Sequence, residues 1–221
     1  MNLRIEGVMI MMPIDYRKNT SEYLSALKSY KNADKILQYM LYGKDKYTYL
    51  HGERVSHYCS LISKKMGLSD EINKELNKGA FFHDIGKIMI PHEILKKPAA
   101  LSDDEKMILQ MHPEISAELL KGVRYFRASI PAAKYHHERY DGSGYPCGLA
   151  GDQIPLAARV VSVADSYDAM TSDRPYHKHM EKEKALNIMI SGKGSQFDPD
   201  IVDIFVNIIR GSLCHPLVKT G

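Results

Sequence analysis

The sequence predicts an all-α fold, and three observations support this. Apolar residues recur at intervals of three and four along most of the chain, which is the period of a helix packed on a core. Gly, Pro and capping residues separate those segments. No stretch shows the alternation of apolar and polar residues that several strands would require. We therefore expect one helical domain over residues 45–210, with a short helical extension at 1–44 and a tail at 211–221.

Three helices are predicted in the first part of the chain. The first runs from Ser21 to Leu41, on a loose apolar stripe that Gly43 ends. The second runs from about Lys46 to Met66 and carries His51 on its apolar face. The third begins after the capping residue Ser69 and continues towards His83, breaking at Gly86.

The second part of the chain is also predicted to be helical, apart from one long loop. Ser102 and Glu105 have the spacing of a capping box, and Pro113 marks a boundary after His112. Asp198 and Pro199 suit the start of the last helix. The remaining expectations are a short helix over 130–138, a loop rich in Gly and Pro over 141–155 and an apolar helix over 156–170.

Composition excludes several functional classes. A net charge of +3 permits an anionic ligand but gives no concentrated basic face, so we expect no binding to long nucleic acid. The apolar stretch from Val8 to Ile14 is too short to span a bilayer and lacks a secretory cleavage pattern, so we expect no membrane association. The three cysteines are odd in number and lack CxxC spacing, which favours a reducing cytoplasm.

The adjacent pair His83 and Asp84 offers an imidazole for a transition metal and a carboxylate able to bridge two metals. Lys87 follows one turn later, so its ammonium can reach the same side. Such a pair alone is more often a surface feature than a site.

Five further residues change that balance. On its own each has an ordinary structural explanation, as a core histidine, a helix-boundary residue or a buried ion pair of the carboxylate with Arg159 or Arg174. Together they fall on successive helices of one domain, which favours convergence on a metal centre. They are His51, His112, His136, His137 and Asp165.

These residues, in this order, resemble the HD-GYP family of the HD phosphohydrolase superfamily. The resemblance covers about residues 45–206 and includes HDIGK at 83–87, HHERYDGSGYP at 136–146 and the run from Gly148 to Asp165. It continues through YDAMTSDRPY at 167–176. The eleven-residue block at 136–146 is the most specific of these motifs.

The resemblance implies an HD-type helical bundle and a bacterial signalling enzyme that hydrolyses cyclic di-GMP to pGpG, and in some members to GMP. A few members prefer cyclic GMP-AMP. Tyr145 falls at the family's pocket tyrosine, and Arg174 falls where the family contacts phosphate or guanine. Lys178 is a further candidate for substrate binding. The family's metal ligands fall on His51, His83, Asp84, His112, His136, His137 and Asp165.

The mechanism implied by the resemblance uses a metal-activated hydroxide. Asp84 would bridge two divalent metals, and Lys87 would neutralise charge on the phosphoryl oxygens. One metal would take His51, His83 and Asp165, and the other the remaining three histidines. Ligands of oxygen and nitrogen suit iron or manganese, with zinc and nickel as alternatives.

Two positions depart from the family's pattern. Trinuclear members carry a glutamate where this chain has Tyr47, which puts a third metal in doubt. Many members carry a basic residue directly after R-P-Y, where this chain has His177 followed by Lys178.

Asp168 and Glu138 are candidates to orient the histidines, with surface salt bridges as the alternative.

Three other functions stay open at this point. A non-catalytic receptor would bind cyclic di-GMP and signal through shape, an HD nucleotidase would act on mononucleotides with a simpler ligand set, and a purely structural histidine cluster would bind no metal. The glycine-rich loop from Gly142 to Gly151 is a candidate contact surface for a signalling partner. The sequence does not determine the oligomeric state.

Overall fold

The computed structural model describes the backbone of residues 2–5, 8–11, 33–173 and 179–214. Within these ranges the chain forms ten α-helices, three short 3₁₀ segments and two short strands. The 3₁₀ segments are Ile85–Met89, Arg124–Ser129 and Gly151–Gln153. The helices are α1 (Ala33–Lys44), α2 (Lys46–Lys65), α3 (Asp70–Phe81), α4 (His92–Leu95), α5 (Asp103–Gln110), α6 (His112–Lys121), α7 (Ile130–Tyr135), α8 (Leu156–Thr171), α9 (Lys182–Ser191) and α10 (Pro199–Cys214).

The all-α class is confirmed, but the N-terminal extension is not helical throughout. Strands β1 (Asn2–Ile5) and β2 (Val8–Met11) pair antiparallel, with Asn2 opposite Met11. Val and Ile residues favour extended backbone, and four-residue strands are too short to show a clear alternation in sequence. Of the helix predicted from Ser21, the described part is α1, which ends one residue beyond Gly43.

Capping residues set the helix starts as the sequence predicts. The Ser69 hydroxyl accepts the N–H of Ile72 at the start of α3. Ser102 and Glu105 form both halves of the capping box on α5. The Asp198 carboxylate accepts backbone N–H groups in the first turn of α10. Helices α4 and α9 were not predicted.

Two apolar clusters form the core. The first joins α2, α3, α8, α9 and α10, and its fully buried members include Ile62, Tyr167 and Phe205. The second includes Leu37 of α1, together with Ile85 and Phe126. The chain passes from Ala80 in the first cluster to Ile85 in the second, and His83 and Asp84 on this segment are buried.

Two glycines allow backbone segments to approach each other beside this region. A Cβ atom at Gly52 in α2 would lie 2.5 Å from the carbonyl oxygen of Phe81. A Cβ atom at Gly86 would lie 2.2 Å from the carbonyl oxygen of His112. No side chain larger than hydrogen fits at either position without moving the facing backbone.

Helix α1 packs on the domain through Leu37 and Leu41, which are buried in the second cluster. The boundaries of 45–210 for the domain remain a prediction. Among the described helices, none combines the length and the apolar character needed to cross a lipid bilayer.

Candidate metal centre

Three histidines follow or occupy helix ends and are turned by the same local device. The Nδ1 atoms of His83, His112 and His136 lie 2.6, 2.7 and 2.8 Å from the backbone carbonyl oxygen three residues earlier. The last turn of a helix leaves carbonyl oxygens without intrahelical partners. A carbonyl only accepts, so each Nδ1 carries the proton and each Nε2 presents a lone pair.

The Nε2 atoms of His112 and His136 lie close together, and that of His137 lies close to them. His112 Nε2 lies 3.4 Å from His136 Nε2 and 3.2 Å from His137 Nε2. His112 and His136 both hold their ring proton on Nδ1, so no hydrogen bond can join those two Nε2 atoms. Three nitrogen atoms crowded in this way suit a cation placed between them.

A second cluster lies beside the first. His51 Nε2 lies 3.0 Å from Asp165 Oδ1, and His83 Nε2 lies 3.9 Å from the same oxygen. His51, His83 and Asp84 have ligand atoms close enough to share one metal ion. The structure thus gathers all seven sequence-predicted ligands into one region, although they span more than a hundred positions of the chain.

Asp84 lies between the two clusters and turns one carboxylate oxygen to each. Its Oδ1 is 3.1 Å from His112 Nε2 and 3.9 Å from His136 Nε2. Its Oδ2 is 3.4 Å from His83 Nε2 and 3.9 Å from His51 Nε2. This is the arrangement of a carboxylate that can bridge two cations.

Electrostatics keep this carboxylate ionised and His136 and His137 of the first cluster neutral. Burial opposes ionisation of Asp84, but the Lys87 charge and the contacts with His83 and His112 hold its pKa well below the usual value. Burial and the neighbouring histidine His112 lower the pKa of His137 to about 3. Burial and His137 likewise lower the pKa of His136. An ionised carboxylate and neutral imidazoles are the protonation states that metal ligation requires.

The donor set therefore fits divalent transition metals. Within the described part of the chain, His83 Nε2 and Asp84 Oδ1 are buried and have no hydrogen-bond partner. Buried polar atoms without partners are costly, and a bound cation would satisfy both. Imidazole and carboxylate ligands without thiolate exclude a zinc-thiolate type of site.

Lys87 lies at the edge of the cluster, where its ammonium donates to Asp84 Oδ2. Its side chain retains 26% exposure, so the ammonium borders both the carboxylate and the solvent-facing side of the centre. The ring of Tyr145 stacks on that of His137, a member of the first cluster, with ring centroids 4.8 Å apart and an angle of 24° between the ring planes. Burial and the charges of Asp84 and Asp165 raise the pKa of the Tyr145 hydroxyl, which therefore stays protonated.

A polar cavity of about 360 Å³ opens beside these residues. Its wall includes His136, His137 and Asp165 from the clusters and Tyr145 from the glycine-rich loop. The remaining wall is mostly neutral and polar: Gln110, Glu138, Arg139, Ser143, Gly144, Ser162, Ser166 and Gln196.

Two of the contacts considered from the sequence do not form. Glu138 does not orient a histidine: its carboxylate accepts the backbone N–H groups of Cys147 and Leu149, which fixes the loop that carries Tyr145. Arg159 does not pair with Asp165. It pairs with Asp198 at 2.6 Å and with Asp152 at 2.7 Å.

Asp168, in contrast, contacts a histidine directly. Its Oδ2 accepts the proton of His51 Nδ1 at 2.7 Å, and its side chain is fully buried. The ring of Tyr47 lies parallel to that of His51, with centroids 6.2 Å apart. Arg174, His177 and Lys178 lie outside the described residues.

Sequence reasoning missed Arg54. Its guanidinium donates to both oxygens of Asp168, from Nε at 2.7 Å and from Nη2 at 2.9 Å. The two residues are 114 positions apart, so no local spacing relates them. Two signals were available: Arg54 lies one turn after His51, and it belongs to the run DKYTYLHGERV at 45–55 that resembles the HD-GYP family.

Comparison with known proteins gives a family and a fold. The sequence profile of the HD domain matches residues 35–201. The chain is 45% identical over 161 residues to the cyclic di-GMP phosphodiesterase response regulator RpfG of Xanthomonas campestris, covering 72% of this chain and 42% of that protein. It is 38% identical over 157 residues to the 3′3′-cGAMP-specific phosphodiesterase 3 of Vibrio cholerae, covering 71% of this chain and 34% of that protein.

Among solved structures, Bd1817, an HDG"Y"P protein of Bdellovibrio bacteriovorus, superposes with a TM-score of 0.61. Its sequence identity is 21%, and the superposition covers 89% of this chain and 60% of that one. This likeness bears on the fold alone. The chain spans well under half the length of the two curated relatives.

Proposed function

The chain belongs to the HD domain family, and we propose that it is a metal-dependent phosphodiesterase that hydrolyses cyclic di-GMP to pGpG or onward to GMP. The observation that carries the proposal is Asp84, whose two carboxylate oxygens each face a separate group of imidazoles. The name of the Xanthomonas relative supports the substrate. Because the chain matches only part of that relative, the substrate belongs to the proposal as much as the chemistry does.

We propose that the two clusters hold two divalent transition metals, iron or manganese, with zinc or nickel as alternatives. His51, His83 and Asp165 would serve one ion, and His112, His136 and His137 the other, with Asp84 shared. Such ions supply Lewis-acid activation of water and of the phosphodiester. Tyr47 offers no carboxylate, so the proposal does not include a third ion.

Two of the chain's own groups would act on the substrate. The Lys87 ammonium, already beside Asp84, would contact a non-bridging phosphoryl oxygen and offset the charge that develops there. The Tyr145 hydroxyl, protonated at neutral pH, would donate a hydrogen bond to the phosphate or to the leaving oxygen. The stacking of Tyr145 on His137 keeps the tyrosine ring beside the first cluster.

The polar cavity would hold a neutral part of the substrate, namely a ribose or a nucleobase. The cation in its described wall, Arg139, is already engaged by Asp141 and Ser143, so the cavity offers little to a second phosphate. Hydroxyl and amide groups such as Ser162 and Gln196 suit the edges of a base. Arg174, carried over from the family resemblance, would contact the other phosphate or guanine, with Lys178 as a second candidate contact.

A second candidate substrate is cyclic GMP-AMP, since the Vibrio relative is specific for 3′3′-cGAMP. A receptor that binds cyclic di-GMP without turnover would use the same cavity and the same residues. A reducing cytoplasmic location, and a signalling partner at the glycine-rich loop, also remain parts of the proposal.

The decisive experiment measures metal content and turnover together. Protein purified without oxygen should contain close to two transition metal ions per chain and should cleave cyclic di-GMP. The double variant His83→Ala/Asp84→Ala should lose both properties. His57→Ala is the matched control, because His57 lies on the same helix as His51 but is exposed to solvent.

Turnover retained in the double variant would contradict the proposal. Faster cleavage of cyclic GMP-AMP than of cyclic di-GMP would favour the second substrate. Tight binding of cyclic di-GMP with no detectable product would favour a receptor.

A further inference from the structure

His51 is oriented differently from the three histidines that donate to a backbone carbonyl. Those three stand at helix ends, where carbonyl oxygens are free to accept. His51 is the sixth residue of α2. At this position inside the helix, the backbone carbonyl oxygens already accept hydrogen bonds from backbone N–H groups of the same helix. A histidine at such a position needs an acceptor from another element to fix its ring.

Asp168 of α8 provides that acceptor. Its carboxylate lies one turn after Asp165, so α8 presents two carboxylates to the same imidazole. Asp168 Oδ2 is 2.7 Å from His51 Nδ1, and Asp165 Oδ1 is 3.0 Å from His51 Nε2. The contact with Asp168 places the proton on Nδ1 and leaves Nε2 on the side of the cluster.

Arg54 holds Asp168 in place. Its guanidinium donates from two nitrogens to the two carboxylate oxygens, which is the paired geometry that resists rotation of the carboxylate. The hydroxyl of Ser172 also donates to Oδ1, at 2.9 Å. Without a charged partner, a fully buried carboxylate such as Asp168 would be strongly destabilised.

The Arg54 guanidinium also contacts the Tyr47 ring, which lies parallel to the ring of His51. It lies 5.9 Å from the centroid of the Tyr47 ring, and that ring is parallel to the His51 ring within 6°. Tyr47, His51 and Arg54 are spaced by four and three residues on α2, so they share one face of the helix. Arg54 thus contacts both Asp168, which bonds to the Nδ1 edge of the His51 ring, and Tyr47, which lies parallel to that ring.

We propose that Arg54 is a positioning residue for the metal centre, acting through Asp168 to fix the orientation and the ring proton of His51. The inference rests on the proposed function, because it assigns His51 Nε2 to a metal. Partners that orient ligating histidines typically account for about 10- to 100-fold in metal affinity. Arg54 touches no cluster residue by hydrogen bond within the described part of the chain, so its effect would pass through Asp168 and the Tyr47 ring.

The test measures the affinity of metal-free protein for Mn²⁺ by calorimetry. Arg54→Gln removes the charge and the two-point contact, and it should weaken the Mn²⁺ site that His51 serves about 10- to 100-fold. Arg54→Lys keeps the charge but can make one point contact only, so it should restore part of the affinity. Melting temperature, followed by circular dichroism, reports folding of each variant.

Arg159→Gln is the matched control. Arg159 forms a comparable ion pair on α8, with Asp198, and among the described residues neither contacts a cluster histidine by hydrogen bond. This variant should lower the melting temperature while leaving Mn²⁺ affinity at the wild-type value. Loss of affinity in Arg54→Gln alone would therefore separate positioning from general stability.

Three results would overturn the inference. They are wild-type Mn²⁺ affinity in Arg54→Gln, equal weakening in Arg159→Gln, and, if Arg54→Gln does not fold, wild-type affinity in a folded Arg54→Lys. A wild-type protein that binds no Mn²⁺ or other divalent transition metal would overturn the proposed function as well. The two failures are therefore distinguishable.

Discussion

Gly86→Ala is the substitution whose effect follows most directly from the geometry. Gly86 lies two residues after Asp84, where the 3₁₀ segment passes against the start of α6. An added Cβ would lie 2.2 Å from the His112 carbonyl oxygen and 2.8 Å from the Ser116 nitrogen. Carbon and oxygen atoms ordinarily approach to about 3.3 Å, so one backbone segment must move by about 1 Å.

That displacement acts on the metal centre without removing a ligand. His112 Nε2 lies 3.1 Å from Asp84 Oδ1, and the two residues belong to the two segments that must separate. A site of this kind tolerates about 0.5 Å of misplacement. Overpacking costs about 1–3 kcal/mol, and weakening the bond from the Gly86 N–H to the Ser116 hydroxyl adds about 1 kcal/mol. We expect a loss of about 2–4 kcal/mol in the free energy of unfolding.

Urea denaturation and Mn²⁺ titration of the metal-free protein would measure both effects. Gly43→Ala is the control, because Gly43 is helical and a Cβ added there would meet no described atom within 4 Å beyond its chain neighbours and the backbone of its own helix. It should stabilise the protein by up to about 1 kcal/mol, since alanine favours helix more than glycine does. Wild-type stability and metal affinity in Gly86→Ala would refute the reasoning.

Three further predictions test other parts of the site. Glu138→Ala leaves two loop N–H groups without their acceptor, so it should lower the free energy of unfolding by about 2–4 kcal/mol and raise the KM for cyclic di-GMP. An unchanged KM would show that this loop does not contribute to substrate binding. In metal-free protein, His137 has a pKa lowered to about 3, so its contribution to stability is present above about pH 6.5 and is lost as pH falls towards 3. His51 behaves oppositely: burial alone would lower its pKa, but Asp165 and Asp168 raise it to about 9, so its contribution is present below about pH 6.5 and is lost as pH rises through 9. Melting temperature with chelator should therefore peak between these limits, and a flat profile would contradict both assignments. Gly52→Ala should separate α2 from α3 and weaken Mn²⁺ binding, because its Cβ would meet backbone at 2.5 Å, and crystallographic superposition would reveal whether the helices moved.

The sequence predicted most helix starts because those signals are local. The Ser102 capping box and the Asp198 cap act within three residues, and both form as expected. Helix α9 was missed because it begins after Glu181, whose side chain makes no capping hydrogen bond. A helix without a cap residue and with weak periodicity gives no clear signal before its packing partners are known.

The supporting residues of the site were harder to predict than the ligand candidates. The ligand candidates came from residue type, position on a helix and family resemblance. The partners of those residues depend on which helices face each other. Glu138 sits next to two histidines in sequence but bonds to the loop, whereas Arg54 contacts Asp168 across 114 positions. Adjacency in sequence therefore misled the assignment of Glu138 and gave no indication of Arg54.

Orientation and distance are set by different parts of this fold. Three ring orientations come from hydrogen bonds to a carbonyl three residues earlier, so they are fixed within each helix end. The distances between rings depend on close backbone approaches beside the centre, such as those at Gly52 and Gly86. Removing a ligand should therefore abolish metal binding in a folded protein, because its neighbours keep their own local anchors. Enlarging either glycine should instead disturb the whole centre while every ligand remains present. His51 differs from the other three histidines, because its orientation depends on the pairing of α2 with α8, through Asp168, rather than on its own helix end.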